Sequence, residues 1–339
     1  MRLVSLFAGC GGMDIGFMKA GFEIVWANDF DPDAQKVYSH NIGEIDPRDI
    51  RDVPANEIPE CDIITAGFPC QPFSNAGKRL GVLDERGTLF QEAMRVIEAK
   101  QPKVVVFENV RGILSTKDLD GSKLIDNIQG QLENLGKGYV VTRKLLNASN
   151  YGVPQNRYRV FIVGVRKDVG ISFSFPPPMP KKGLEVGNLL NIPLHVPNQV
   201  DWKLSPQAAR LITFIPEGGS WKDIPYEELP PRFRRIRDNM KKYRSPNFYR
   251  RYARTEINGT ITASAQPENC GIIHPVENRR YTIRETARIQ SFDDDFVFID
   301  DTPRDIAAMY KLIGNAVPPK LAFVMAESIK EQVWGGINE

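Results

Sequence analysis

Across the first 170 residues, short β-rich runs alternate with helical runs. Leu3–Phe7, Glu23–Ala27, Asp62–Ala66 and Lys103–Glu108 read as strands. Met13–Ala20, Pro32–His40, Thr88–Lys100 and Ser122–Leu135 read as the helices between and after them. Tyr139–Leu146 and Arg159–Arg166 read as two later strands that pair with each other. Strand–helix alternation at this spacing predicts an α/β domain whose parallel sheet carries helices on both faces. Ligands of such sheets bind beyond the carboxyl ends of the strands. The unusual residues of this chain stand there.

The first strand runs into Phe7-Ala8-Gly9-Cys10-Gly11-Gly12. Glycines in a strand-to-helix turn let a ligand approach the backbone closely, although a plain tight turn needs them too. The spacing is not the GxGxxG of dinucleotide sites. The second strand ends in Asn28-Asp29-Phe30-Asp31, about 20 residues past the glycines, where an acid can take a ribose diol. An adjacent Phe can cover an adenine face, while Asp31-Pro32 fits a helix cap equally well. Together these ends suggest a cofactor with adenosine and no pyrophosphate cradle. The third strand leads into Gly67-Phe68-Pro69-Cys70-Gln71-Pro72-Phe73-Ser74. A cysteine framed by two prolines is a better nucleophile candidate than core filler. The fourth ends in Glu108-Asn109-Val110, an acid directly after an apolar run. Neighbouring parallel strands bring their ends together, so Cys70 and Glu108 can face one ligand, as covalent catalysis requires.

The chain has 339 residues, about two domains' worth. Its 44 basic and 42 acidic residues leave a formal charge of +2, which by itself says nothing about nucleic acid. The charge is uneven. Residues 232–254 hold ten Lys/Arg against Asp238 alone, interleaved with Phe233, Tyr243, Phe248, Tyr249 and Tyr252. Such an island can neutralise phosphates and stack on bases, or it can be a solvated face with a few buried rings. Its sign is one-sided enough to favour nucleic acid, with Arg234, Arg235, Lys241, Lys242, Arg250 and Arg251 as contacts. Residues 172–231 hold 11 of the 25 prolines, which excludes a mostly helical or central-strand segment. Cysteines at 10, 61, 70 and 270 form no CxxC pair, and there are three histidines. That argues against a disulfide framework or a zinc site, and for a reducing cytoplasm. No apolar run nears the ~18 residues of a membrane span, and the first residues lack the pattern of a signal peptide.

Eight strings, in order, now resemble one family. They are LFAGCGG (6–12), NDFD (28–31), GFPCQPFS (67–74), DERGTLF (84–90), ENV (108–110), VPQNRYRVFIVG (153–164), RRYTIRETARIQSF (279–292) and YKLIGNAVPP (310–319). The chain resembles the DNA cytosine-C5 methyltransferases of bacterial restriction–modification systems. Only about 172–275 lacks a clear match, and it is the Pro-rich, basic part.

The resemblance implies a doubly wound mixed sheet, the Rossmann-like S-adenosylmethionine-dependent methyltransferase fold, with a smaller, loop-rich target-recognition domain. It divides the chain into a catalytic domain (1–171), a recognition domain (172–278), a connection (279–308) and a returning C-terminal segment (309–339). It implies that Cys70 adds to C6 of cytosine as a thiolate, so that C5 can attack the methyl of S-adenosylmethionine. Glu108 would hold N3 and the exocyclic amine. Arg159, with Arg157, would contact O2 and help deprotonate the thiol. The base must flip out of its duplex. Residues 71–88 resemble the loop that closes on flipped DNA, with Ser74, Lys78, Arg79 and Arg86 on phosphates.

For the cofactor, the resemblance implies Phe7, Ala8, Gly9, Cys10 and Gly12 at the first turn, Asp29 on the ribose and Phe30 on the adenine. Asp49 and Ile50 match the adenine-edge position. Pro69 and Leu89 flank the methionine part, and Asn315 and Val317 close the pocket. No metal is implied. Arg280 and Glu285 would order the second domain, and Thr260-Ile261-Thr262-Ala263 would support the end of the recognition segment. The implied partner is double-stranded DNA met by a monomer in the bacterial cytoplasm, at the nucleoid. A cognate restriction endonuclease could share its site.

Two positions depart from the family. Ser5 stands where relatives commonly have Asp, at the cost of one hydrogen bond to the cofactor, and Phe30 where many have Trp. The nearest rival is a tRNA cytosine-C5 methyltransferase of the same fold, whose Cys-Phe-Thr signature is replaced here by Cys270-Gly271-Ile272. A nicotinamide dehydrogenase would want GxGxxG, a dead DNA-binding module would not keep Cys70 and Glu108, and a zinc deaminase would need a second Cys after Pro69-Cys70.

Overall fold

The β-branched runs of the first half assemble into one six-stranded sheet in a computed structural model. It describes residues 1–68, 89–118, 121–239, 248–263, 271–298 and 303–335. In chain order the elements are β1 (Arg2–Leu6), α1 (Gly12–Lys19), β2 (Glu23–Asn28), α2 (Pro32–Asn41), β3 (Ile63–Ala66), α3 (Leu89–Lys100), β4 (Val104–Val110), α4 (Leu124–Asn134), β5 (Tyr139–Asn147) and β6 (Tyr158–Arg166). The strand order is β2-β1-β3-β4-β6-β5. The first four strands are parallel, and β6 runs antiparallel to both β4 and β5. The sheet is therefore mixed and doubly wound, as the family resemblance implies. Only about ten residues join β5 to β6, too few for the crossover that a parallel pair needs.

Val104 to Phe107 are wholly buried, as are the four residues Leu3 to Leu6 to within 1 %, because both faces of these strands are covered. The chain leaves β1 toward β2 on one side and β3 on the other. That reversal opens a crevice at the carboxyl ends of these strands. Over the described residues, the first compact unit comprises 1–147, 158–178 and 319 onward. Its last helix, α9 (Pro319–Trp334), lies against α1 at backbone distance: a Cβ on Gly16 would come within 2.5 Å of Ala322 Cβ and Phe323 N.

The second unit comprises 148–157 and 179–318. The segment expected to recognise the target thus begins in the first unit, at 172–178, and continues in the second. Its regular elements are short: α5 (Pro206–Ile212), α6 (Pro231–Asp238), β7 (Arg250–Arg251) paired in parallel with β8 (Ile272–Ile273), α7 (Ile283–Ile289) and α8 (Pro303–Asn315). The core is aromatic. Trp221, Phe233, Phe248 and Tyr249 meet edge to face around Ile212, Ile224 and Leu229. Three rings of the basic island are therefore core rather than stacking surface, because a unit with little regular structure fills its interior with bulk.

Loop backbone also leaves carbonyls that no helix or ladder satisfies, and arginine forks supply the donors. Arg284, wholly buried, donates to the carbonyls of Pro197, Asp293 and Phe296. Thr282 and Glu285 close a capping box on α7, and Glu285 also takes both terminal nitrogens of Arg279, while Arg280 lies over the Tyr310 ring. No helix among the described residues is long and apolar enough to cross a membrane.

Candidate active site

Three strand ends of the first unit build the candidate site. After β1 the backbone turns sharply, with Phe7, Gly9 and Gly11 all at positive φ (55°, 58° and 88°). Phe7 carries a side chain in a conformation that costs a non-glycine residue strain, so the surrounding fold must hold it there. The Ala8 amide donates to the Asn28 carbonyl, and the Gly9 amide donates to Asp29 Oδ2 at 2.8 Å. Asp29 Oδ1 accepts from the Asp31 amide at 2.9 Å. The carboxylate is thus locked between two loops. Beside it, Phe30 is 61 % exposed, an open aromatic face at a strand end. An oriented carboxylate next to an uncovered ring fits the ribose and adenine of a nucleoside cofactor.

Asp31 caps α2 through the Asp33 amide, with Pro32 at the first helical position, so its role is the helix cap. Asn28 ties residues 46–48 to the end of β2, donating to the carbonyls of Asp46 and Arg48. This brings Asp49 and Ile50 toward the same strand end. Asp49 is paired with Arg51, which holds its carboxyl below the usual range, and the Ile50 side chain is buried. Cys10 is 2 % exposed, and burial pushes its thiol up to about 12, with Asp29 and Asp14 adding to the shift. Leu89 joins the apolar core beneath the sheet with Phe68 and Phe90.

Ser5 does not look outward. It is 1 % exposed, and its hydroxyl donates to Asp14 Oδ1 at 2.7 Å, while the Tyr38 hydroxyl donates to Asp14 Oδ2 at 2.7 Å. Asp14 of α1 is wholly buried between these two hydroxyls. Burial raises the Asp14 carboxyl to about 6 in spite of its two donors. Nothing in the spacing of Ser5, Asp14 and Tyr38 announces this triad.

The chemical end of the crevice lies on β4 and β6. Arg159 Nε is 2.8 Å from Glu108 Oε1, and both side chains are about nine-tenths buried. Burial pulls the Arg159 guanidinium below its usual range, and the Glu108 charge pulls it back. The strand register sets Arg159 opposite Val110 and diagonal to Glu108, on one face of the ladder. Asn109, which sequence reasoning passed over, donates from Nδ2 to the Phe68 carbonyl at 3.0 Å. It thereby anchors the chain where it leaves for Cys70. Cys70 itself lies outside the described residues, as do Pro69, Ser74, Lys78, Arg79 and Arg86.

Several basic residues serve differently from expectation. Arg157 is wholly buried, belongs to the second unit, and donates to the carbonyls of Ile261, Gly314 and Ala316. Its guanidinium clamps those three carbonyls. Arg251 is 3 % exposed and donates to the carbonyls of Ile212, Ile215, His274 and Glu277 and to Asn278. It is a structural arginine rather than a phosphate contact. Arg250 grips Glu256 with two hydrogen bonds and covers the Tyr252 ring, and Arg234 donates to the carbonyls of Leu229 and Glu227. Arg235 is exposed on α6, together with Arg232 one turn earlier. Lys241 and Lys242 lie outside the described residues. Asn315 is exposed and Val317 is buried at the end of the second unit. No cluster of three metal-ligating side chains occurs among the described residues.

The mixed, doubly wound sheet has counterparts among known proteins. A model of the C-5 cytosine-specific DNA methylase family matches residues 1–331. The Type II methyltransferase M.NgoFVII of Neisseria gonorrhoeae is 40 % identical over 340 residues, covering 97 % of this chain and 86 % of that protein. The Type II methyltransferase M.FnuDI of Fusobacterium nucleatum is 35 % identical, covering 98 % and 94 %. Among solved structures, a prophage-encoded E. coli protein assigned as a DNA modification methyltransferase superposes over the whole of both chains, with a TM-score of 0.70 at 22 % identity. The chain belongs to the C-5 cytosine-specific DNA methylase family.

Proposed function

We propose that the protein is a sequence-specific DNA cytosine-C5 methyltransferase, the modification enzyme of a type II restriction–modification system or a solitary methylase. The observation that carries this reading is the buried Glu108–Arg159 pair, reached by a chain that Asn109 holds just before Cys70. Cys70 is the nucleophile. Its sulfur bonds to C6 of a flipped-out cytosine, which makes C5 electron-rich. Glu108 steadies N3 and the exocyclic amine during that addition, and Arg159 keeps Glu108 oriented while adding positive potential toward the thiolate.

S-adenosylmethionine, when bound, supplies an electrophilic methyl on a sulfonium. The chain's part is to hold its ribose with Asp29 and its adenine against Phe30. The Gly9–Gly12 turn admits the cofactor to the backbone. After transfer, the C5 proton leaves to a base and the C6–S bond breaks, returning Cys70 as the thiolate and 5-methylcytosine as product. Duplex DNA is the partner, a monomer suffices, and the bacterial cytoplasm is the place. The similar proteins are named Type II methyltransferases, and the RNA branch's Cys-Phe-Thr signature is missing, so the tRNA reading is not favoured.

The test is bisulphite sequencing of DNA from cells expressing the wild type and Cys70→Ser. The wild type protects cytosines in one sequence context, and the variant protects none. Protection by the variant would overturn the nucleophile, and no protected cytosine in either would overturn the function. For the covalent step, duplex carrying 5-fluorocytosine at that site traps an adduct stable to denaturing electrophoresis, because fluorine cannot leave as a proton does.

A further inference from the structure

The connection from β4 to α4 leaves the carboxyl end of the strand that carries Glu108. Along the sequence it does not stand out as basic: residues 111–123 hold Arg111, Lys117 and Lys123 against Asp118 and Asp120. The fold sorts these charges. Lys117 and Lys123 are partners in an antiparallel bridge, and both are exposed. The backbone bonds lie to either side of them, from the Asp118 amide to the Ser122 carbonyl at 2.9 Å and from the Leu124 amide to the Thr116 carbonyl at 3.0 Å. The two lysines are thus a non-hydrogen-bonded pair, the arrangement in which facing side chains come closest. Like charges placed so repel each other. Asp118 is engaged elsewhere, accepting from Asn127 Nδ2 at 2.5 Å. Neither lysine is ion-paired among the described residues.

Arg111 opens the same connection and is also exposed. The Ser115 and Thr116 amides both donate to the Gly112 carbonyl, which curls the chain through one turn between Arg111 and Lys117. The guanidinium lies 5.9 Å from the centre of the Tyr158 ring, which is 44 % exposed. Tyr158 is the first residue of β6, next to Arg159, and exposed Val110 stands opposite Arg159 in the ladder. An uncovered cation and ring therefore border the Glu108–Arg159 pair, within the same unit. A guanidinium beside a ring keeps N–H donors for a phosphate.

We propose that Arg111, Lys117 and Lys123 form a phosphate-binding rim on the catalytic unit, which takes the sugar–phosphate backbone of duplex DNA beside the flipped cytosine. This rests on the function proposed above. A bound phosphate supplies the negative charge that the facing lysines lack. Phosphate contacts fix the position of the duplex without reading its sequence, so the rim strengthens binding to every duplex equally.

The test measures the affinity of the full-length protein for two duplexes over a range of salt. One bears the site defined by bisulphite sequencing and the other does not. Changing Arg111, Lys117 and Lys123 together to Gln lowers the slope of log affinity against log salt by about two to three. Affinity for both duplexes falls by the same factor, so their ratio stays that of the wild type. Lys117→Glu separates this role from a structural one. It pairs with Lys123 and so does not lower the melting temperature, yet it weakens binding of both duplexes more than Lys117→Gln does. A triple variant with the wild-type salt slope overturns the proposal, as does a loss confined to the duplex bearing the site. In either case a wild type that still methylates DNA leaves the proposed function standing. A wild type that modifies no cytosine overturns that function, and this inference with it.

Discussion

Arg159 Nε and Glu108 Oε1 stand 2.8 Å apart on adjacent antiparallel strands, where neither side chain exposes more than about a tenth of its surface. A pair so withdrawn from water is a weak stabiliser as a pair, yet removing one partner strands a buried charge at about 3–5 kcal/mol. Arg159→Met is therefore destabilised, measured as a lowered denaturation midpoint at pH 7. Adding Glu108→Gln to Arg159→Met restores part of the stability while methyl transfer stays lost. A double variant no more stable than Arg159→Met would mean that the two side chains do not interact.

Asp14 gives a pH dependence of defined sign. Its carboxyl is raised from 3.8 to about 6, mainly by burial, so the folded protein binds a proton that the unfolded chain releases. A raised carboxyl stabilises the fold below about pH 4, and that contribution is lost as the pH climbs through 6. The loss is about 3 kcal/mol for a shift of this size. Other carboxylates, such as Asp46 and Glu217, are held below their usual range by arginines and act in the opposite sense. The quantity to measure is therefore the difference between wild type and Asp14→Asn across pH 4–8. It should grow in favour of the variant as the pH rises. Ser5→Asp sets two carboxylates within hydrogen-bond reach and destabilises the protein; coupling it to Asp14→Ser relieves the repulsion.

That Ser5 and Asp14 belong together marks the boundary of what could be read along the chain. Strand ends were legible because a β-branched run followed by glycine or an acid is a local pattern. β1 was expected to reach Phe7, and it stops at Leu6 because Phe7 turns to positive φ. Asp29 does follow directly on β2, whereas β4 runs two residues past Glu108 to Val110. Partners distant in sequence were not legible. Gln155 and Gln290, which are 135 residues apart, meet only through the fold, and so do Asn109 and the Phe68 carbonyl. Nor does a count of arginines say which way their forks point. The island around 232–254 was read as a surface, although Arg251 and three rings face inward.

Two glycines in helices separate packing from propensity. Gly16 of α1 faces α9 with no room for a methyl, since its Cβ would lie 2.6 Å from the Pro319 carbonyl oxygen as well. Gly16→Ala costs about 1–3 kcal/mol of overpacking, against a helix-propensity gain of about 1 kcal/mol. Its melting temperature falls. Gly130 of α4 has nothing within 4 Å of such a Cβ among the described residues, so Gly130→Ala collects the propensity alone and raises the melting temperature. Equal effects at the two sites would show that α1 and α9 are not packed at backbone distance.

The arginines of the second unit should divide into two classes under one assay. Arg232 and Arg235 lie one turn apart on α6 and face solvent, free to neutralise phosphates. Changing both to Gln lowers the slope of log affinity for duplex against log salt by about two and leaves the melting temperature alone. Arg251 is the opposite case. Its guanidinium satisfies four backbone carbonyls and Asn278, and each acceptor left bare in the interior costs about 1–3 kcal/mol. Arg251→Gln therefore melts the second unit at lower temperature. In protein that remains folded, the salt slope stays as it was, because a buried arginine releases no counterions. A normal melting curve with a reduced slope would place Arg251 on the DNA after all, and the loop carbonyls would need another donor.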